Sequence, residues 1–118
     1  MTMALSDSSD VLTVLNTSIL TDWGTYDYQP MTLDEARDVC AKFGNSIQSA
    51  VGHEATAQIL AELLGDLAGR FNRAPYRQSV GAKALVFKLR GRPPEGKILT
   101  REEVEQVGYD FGLLTRVS

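Results

Sequence analysis

SIQSAVGHEATAQILAELLG, residues 46–65, joins two different hydrophobic rhythms within a single stretch, and it decides the class of fold. Ser46 to Val51 is short and carries apolar Ile47 and Val51, which suits a core strand. From Glu54 to Leu64 the apolar positions Ile59, Leu60, Leu63 and Leu64 recur at helical spacing, and Gly65 supplies a stop. A strand thus runs directly into a helix, with Gly52 and His53 at the junction. Upstream, Thr32-Leu33-Asp34-Glu35 is a capping box in which the Thr hydroxyl and the Glu carboxylate satisfy each other's free backbone donors. It opens a helix to about Phe43, with Leu33, Ala36, Val39, Cys40 and Phe43 on one face and Gly44 as its stop. Further back, Val11 to Leu15 reads as a buried strand, and Trp23 to Gln29 as a loop leading into a short extended stretch that ends at Pro30. Downstream, Tyr76 to Val80 and Ala84 to Leu89 are strand candidates separated by Gly81-Ala82-Lys83, which would close a hairpin. A loop from Gly91 to Gly96 follows. Thr100-Arg101-Glu102-Glu103 then repeats the capping box ahead of a short helix to about Val107, and a last strand is expected from Gly112 to Val117. The alternation predicts a single-domain α/β fold with a central mixed β-sheet flanked by α-helices.

A length of 118 residues suits one domain, and 43% hydrophobic with 23% charged residues is an ordinary globular composition. Residues 1–10 read as a polar lead-in without the basic and apolar segments of a signal peptide, which leaves 11–118 as the domain. Apolar runs such as Ala84 to Phe87 are far shorter than the roughly 20 residues that cross a bilayer, so no membrane partner is expected. One cysteine, Cys40, excludes an internal disulfide and agrees with a reducing cytoplasm.

The formal charge of -3 conceals a split. Residues 70–101 hold nine basic residues against Glu95 alone, a net of +8, whereas 1–69 hold two basic residues, Arg37 and Lys42, against ten acidic ones. Such a concentration points to a local anion site. The bland alternative is a sheet edge decorated with Lys and Arg against aggregation.

His53, the only histidine, lies where a helix N-terminus offers free N–H groups to a phosphate, and an imidazole there suits proton transfer to a leaving oxygen. A structural histidine bonded to a backbone carbonyl is the other reading. Arg73 follows Asn72, and Arg92 and Glu95 frame the stiff Pro93-Pro94 pair. Arginine forks suit phosphates, and a glutamate among them can orient an arginine or bond a ribose or base edge. Asn16, Thr17 and Ser18 leave the first strand, where small polar groups face ligands or bond their own turn. One His and one Cys have no metal-ligand spacing, and neither a Walker loop nor a G-x-G-x-x-G pattern is present.

The segments LNTSIL (15–20), VGHEATAQIL (51–60), FNR (71–73) and GRPPEGKILTREE (91–103) together resemble the viral type III anti-CRISPR ring-nuclease family and its cellular CRISPR-associated relatives. The resemblance runs over about residues 12–117, and G-H-E-x-T followed by R-x-x-E-G-K is its most specific part. It implies a metal-independent, cofactor-free nuclease of cyclic tetra-adenylate, the messenger that switches on type III CRISPR ancillary effectors. By the same resemblance His53 is the catalytic general acid, with Arg92 and Glu95 as the active-site pair. Asn16, Ser18, Gly52, Arg73 and Lys97 fall at substrate-binding positions. A 2'-hydroxyl of the ring would attack its own adjacent phosphate, leaving linear adenylates with 2',3'-cyclic phosphate ends. The resemblance further implies a symmetric homodimer that clasps the two-fold symmetric ring, located in the cytoplasm, or in the host cytoplasm for a viral chain. Family members usually have Ser where this chain has Ala55, which removes one hydroxyl near the phosphate.

Two other classes of function stand beside this expectation. A non-catalytic protein that sequesters cyclic oligoadenylate would use the same basic loop. A small DNA-binding regulator would bind through phosphates, but the chain has no helix-turn-helix and its basic residues fall on strands and loops, so no stable bulk nucleic-acid partner is expected.

Overall fold

Leu12, Thr13, Val14 and Leu15 are all buried, an uninterrupted run that fits a strand covered on both faces. In the computed structural model this segment is β1 (Leu12–Leu15), followed in chain order by β2 (Tyr26–Met31), α1 (Leu33–Phe43), β3 (Ile47–Ser49), α2 (Glu54–Leu64), β4 (Lys83–Leu89), α3 (Arg101–Val107) and β5 (Tyr109–Arg116). The structure describes residues 11–52, 54–72, 76–90 and 100–118. The lead-in of 1–10, His53, Arg73 and the loop of 91–99 with Arg92, Glu95 and Lys97 lie outside the described residues.

The sheet has the order β2-β5-β4-β1-β3. β1 pairs in parallel with β3 on one side and with β4 on the other, while β5 runs antiparallel to both β4 and β2. The fold is therefore a single-domain α/β arrangement of a five-stranded mixed sheet and three helices. Both capping boxes form as expected, Thr32 with Glu35 on α1 and Thr100 with Glu103 on α3. Gly44 at the end of α1 takes φ 53°, a conformation that favours glycine over any residue with a side chain.

All three helices pack on one face of the sheet. Ala36 and Cys40 of α1, Leu60 and Leu63 of α2 and Val104 of α3 share one cluster with Leu12, Val14, Leu85, Phe87 and Phe111. Within it Phe87, Tyr109 and Phe111 hold their rings 5.5–5.7 Å apart. Arg37 of α1 donates from Nε to the Leu63 carbonyl at 3.0 Å, satisfying one of the free carbonyls in the last turn of α2.

The other face, carrying Leu15, Ala84, Val86 and Leu114, is covered by irregular chain rather than by helices. Tyr26, Ala50 and Tyr76 pack against it. The segment 76–79 is not the strand expected ahead of a turn at Gly81-Ala82-Lys83. Both edges of β4 are already bonded, to β1 and to β5, so no hairpin partner can pair there. Gln78 instead turns inward, fully buried, and its Nε2 donates to the carbonyls of Ala82 (2.9 Å) and Leu114 (3.0 Å). Its backbone N–H donates to Thr21 Oγ1 at 2.7 Å, joining 76–79 to the segment between β1 and β2. Two smaller differences from the sequence reading concern strand ends. β5 begins at Tyr109, because Tyr109 and Phe111 add to the aromatic cluster, and β3 stops at Ser49, leaving Val51 in a single bridge to Phe71.

Two substitutions test this architecture. A Cβ on Gly69 would meet the backbone of α2, at the Ala61 nitrogen and at the Ala57 carbonyl oxygen (2.5 Å), and neither can swing away. Gly69→Ala should therefore lower stability by about 1–3 kcal/mol in urea denaturation, the range of an overpacked contact. The Arg77 guanidinium bonds Asp22 and, with the Trp23 N–H, holds the Asp22 carboxyl below its ordinary range. A carboxyl lowered in the folded state stabilises at neutral pH, and that contribution is lost as pH falls through the lowered value, below about pH 4. Asp22→Asn should have a lower melting temperature than wild type at pH 7, with the gap closing at pH 2–3 and narrowing in high salt, because the pair lies at the surface.

Candidate functional site

Because β1, β3 and β4 are parallel, their carboxyl ends lie along one edge of the sheet. Ligands of open α/β sheets bind outside such an edge, where the chain leaves the strands in loops. β1 exits there through half-buried Asn16 and exposed Ser18. β3 continues past Ser49, with the Ala50 N–H donating to the Val14 carbonyl at 2.9 Å, and reaches half-buried Gly52. The three expected site residues that are described, Asn16, Ser18 and Gly52, thus share one edge.

A fourth segment is held beside them. Phe71 bridges Val51 in parallel, the Asn72 N–H donates to the Val51 carbonyl at 2.9 Å, and Asn72 Nδ2 donates to the Ser49 carbonyl at 2.7 Å. Ser49 Oγ in turn accepts the Val51 N–H at 3.2 Å. Asn72 therefore acts as a bracket that closes the end of β3. The chain positions that precede His53, Arg73 and the 91–99 loop are Gly52, Asn72 and Arg90, and all three stand at this carboxyl edge.

β4 outruns β1 at the same edge, since Leu15 is registered with Val86 and three strand residues follow. Lys88 lies among them, and its Nζ donates to Ser18 Oγ at 3.4 Å. Arg90 forms a two-point pair with Asp110, from Nε at 3.1 Å and a terminal nitrogen at 2.8 Å. That pairing, with a smaller contribution from Lys88, holds the Asp110 carboxyl below its ordinary range. Sequence reasoning counted Lys88 only as part of the basic segment. Its contact with Ser18 spans 70 positions of chain and follows from strand order, which no local pattern encodes.

The basic segment is partly neutralised. Arg77 pairs with Asp22, Arg90 with Asp110 and Arg101 with Glu105. Two of the hollows among the described residues bear on where a ligand could sit. One of about 430 Å³, lined by Leu20, Thr21, Asp22, Trp23, Gly24 and Tyr26, adjoins the start of β2, at the end of the sheet away from Ser18. Its one charged residue, Asp22, is taken up by Arg77, so it offers an anion nothing. The other, of about 470 Å³, lies between α2 and the start of α3, where Ala55 presents a methyl beside Gln58, Thr100 and Arg101. Among the described residues no group of three or more His, Cys, Asp or Glu side chains is placed to hold a metal ion, and no helix is long and apolar enough to cross a membrane.

Comparison with known proteins agrees with this architecture. B116 of Sulfolobus turreted icosahedral virus superposes with a TM-score of 0.68 over 90% of this chain and 99% of its own, at 20% identity, a likeness of fold. In sequence, the chain is 37% identical over 103 residues to the uncharacterized protein YddF of Bacillus subtilis, covering 87% of this chain and 94% of YddF. It is 34% identical over 113 residues to the uncharacterized protein ORF117 of Acidianus two-tailed virus, covering 92% and 96% of the two chains. The profile of one family matches residues 12–111. With these matches the chain belongs to the STIV B116-like family.

Proposed function

We propose that this protein is a metal-independent nuclease that binds and cleaves cyclic tetra-adenylate and so switches off the CRISPR effectors that respond to it. One observation carries the reading: Asn16, Ser18 and Gly52 share the carboxyl edge of the sheet with Asn72 and Arg90, the chain neighbours of Arg73 and of the loop containing Arg92, Glu95 and Lys97. Described residues from Asn16 to Arg90 thus meet at one edge, and a composite anion site built there supports the reading.

In the proposed reaction the nucleophile belongs to the substrate. A ribose 2'-oxygen attacks the adjacent phosphorus and loses its proton to solvent. The bond from phosphorus to the 5'-oxygen breaks as His53, protonated, donates to that oxygen. The products are a 2',3'-cyclic phosphate and a 5'-hydroxyl. Arg92 and Arg73 stabilise the charge gathering on the phosphoryl oxygens, Glu95 positions the ribose or neighbouring groups, and Asn16, Ser18, Gly52 and Lys97 bind the ring. The ring's two-fold symmetry fits an isologous homodimer in the cytoplasm, with one histidine from each half presented to opposite phosphates. Ala55, facing the groove toward Thr100 and Arg101, leaves this arrangement without the hydroxyl that family members usually carry there.

Incubation with cyclic tetra-adenylate in excess EDTA, followed by chromatography of the products, tests the reading. Linear adenylates ending in 2',3'-cyclic phosphate are expected, and His53→Ala should slow their formation by about 10²–10⁴-fold while still binding the ring. An intact ring after stoichiometric binding would make the protein a sequestering one. Cleavage untouched by His53→Ala would remove the histidine from the mechanism.

A further inference from the structure

We propose that Lys88 is a substrate-binding residue of this site, acting with Ser18 as a cation–hydroxyl pair that takes one phosphate of the adenylate ring. The inference rests on the proposed function and adds to it a residue that sequence reasoning did not place in the site.

Three observations lead to it. The first is position. Ala84 and Val86 point to the second face of the sheet and are fully buried, and Lys88 is the next residue on that face, exposed just where the covering chain ends. β5 pairs with β4 as far as Leu89 but β1 only as far as Val86, so Lys88 stands where β4 runs on past the end of β1, beside the chain that leaves it through Ser18.

The second is charge. Asp110 is registered directly opposite Lys88 across β4 and β5, the usual place for a neutralising partner. Both carboxylate oxygens of Asp110 accept from Arg90 instead. Among the described residues Lys88 forms no ion pair, and its polar contact is the neutral Ser18 hydroxyl at 3.4 Å. Arg90 takes both direct bonds of that counter-ion, and Lys88 acts on Asp110 only as a nearby charge, which leaves its N–H donors for other acceptors.

The third is donor chemistry. An ammonium has three N–H donors, and one is directed to Ser18 Oγ. A hydroxyl that accepts from a lysine is left with its own proton to donate. Lys88 and Ser18 can therefore each give a hydrogen bond to the same anion, and charge-assisted bonds of this kind are the strong ones in phosphate recognition. Ser18 leaves β1 at the edge where Gly52 and Asn72 stand, so the pair would contact a phosphate of the same ring and need no second ligand.

The test measures the Kd for cyclic tetra-adenylate between 50 and 200 mM salt in a His53→Ala background, which keeps the ring intact. Lys88→Gln should weaken binding by about 10–100-fold, as expected for losing a hydrogen bond to a charged group. It should also reduce the slope of log Kd against log salt by roughly one phosphate contact, about 0.7–0.9. Lys88→Arg should recover most of the affinity. Lys83→Gln, at the opposite end of β4, should match the His53→Ala parent. A ring that binds the parent normally, with Lys88→Gln equal to Lys83→Gln in Kd and slope, overturns the role of Lys88 and leaves the proposed function standing. A wild-type chain that does not bind the ring overturns both.

Discussion

The two-sided parallel pairing of β1 is the constraint on which the rest of the molecule depends. Leu12 to Leu15 bond β3 on one side and β4 on the other, which fixes the direction of all three strands and brings their carboxyl ends to one edge. Alternation then sends Leu12 and Val14 toward the helices and Thr13 and Leu15 toward the opposite face, and both sets must be covered. Thr13, nearly fully buried, is tolerated because Gln48 Nε2 on the neighbouring strand donates to its hydroxyl at 2.8 Å. A slip of one residue would exchange the two faces and separate that pair, so the register of β1 is held by packing and polar satisfaction together.

Covering the second face without a helix has a consequence for the site. The segment after β1 must run from Ser18, beside Lys88, back along the sheet to Tyr26, which is registered with Arg116 at the far end of β5. It is fixed along the way by Thr21 accepting from Gln78, by Asp22 bonded to Arg77, and by Arg116 donating to the carbonyls of Trp23 (3.0 Å) and Gln78 (2.7 Å). One piece of chain therefore seals the core and presents Asn16 and Ser18 to the carboxyl edge. Its anchors, Thr21, Asp22 and Trp23, all lie beyond Ser18 along the chain.

Most of the fold was legible because its signals are local. Each capping box needs only four residues, and the apolar stripes of Leu33 to Phe43 and Glu54 to Leu64 need only helical spacing, so these helices formed where the pattern put them. The segment 76–80 misled because a turn signal between two candidate strands does not reveal whether a bonding edge is vacant, and β4 from Lys83 to Val86 is already paired on both sides. The site divides in the same way. Asn16, Ser18 and Gly52 were singled out through the family resemblance and stand where a strand ends or a helix begins, whereas the contact of Lys88 with Ser18 and the bracket formed by Asn72 depend on which strands become neighbours. The helices were expected to flank the sheet, but the described ones take one side, and nothing in their own periodicity distinguishes the two faces.

The division of charge takes on a different meaning once partners are assigned. Nine basic residues within 70–101 would suggest a broad positive surface if they all stood free. Arg77 serves the covering segment, Arg90 occupies Asp110, and Arg101 braces α3 through Glu105, so each is matched locally by an acidic group from the remainder of the chain. Lys83 and Lys88 sit at opposite ends of β4, separated along the strand by buried Ala84 to Phe87. A long polyanion is gripped by a continuous stripe of cations following its backbone, and alternating ion pairs interrupt such a stripe. A compact anion requires only a few unpaired donors converging at one point. Arg90 shapes the charge at that end of β4: by holding both oxygens of Asp110 it takes the direct bonds of the carboxylate registered opposite Lys88.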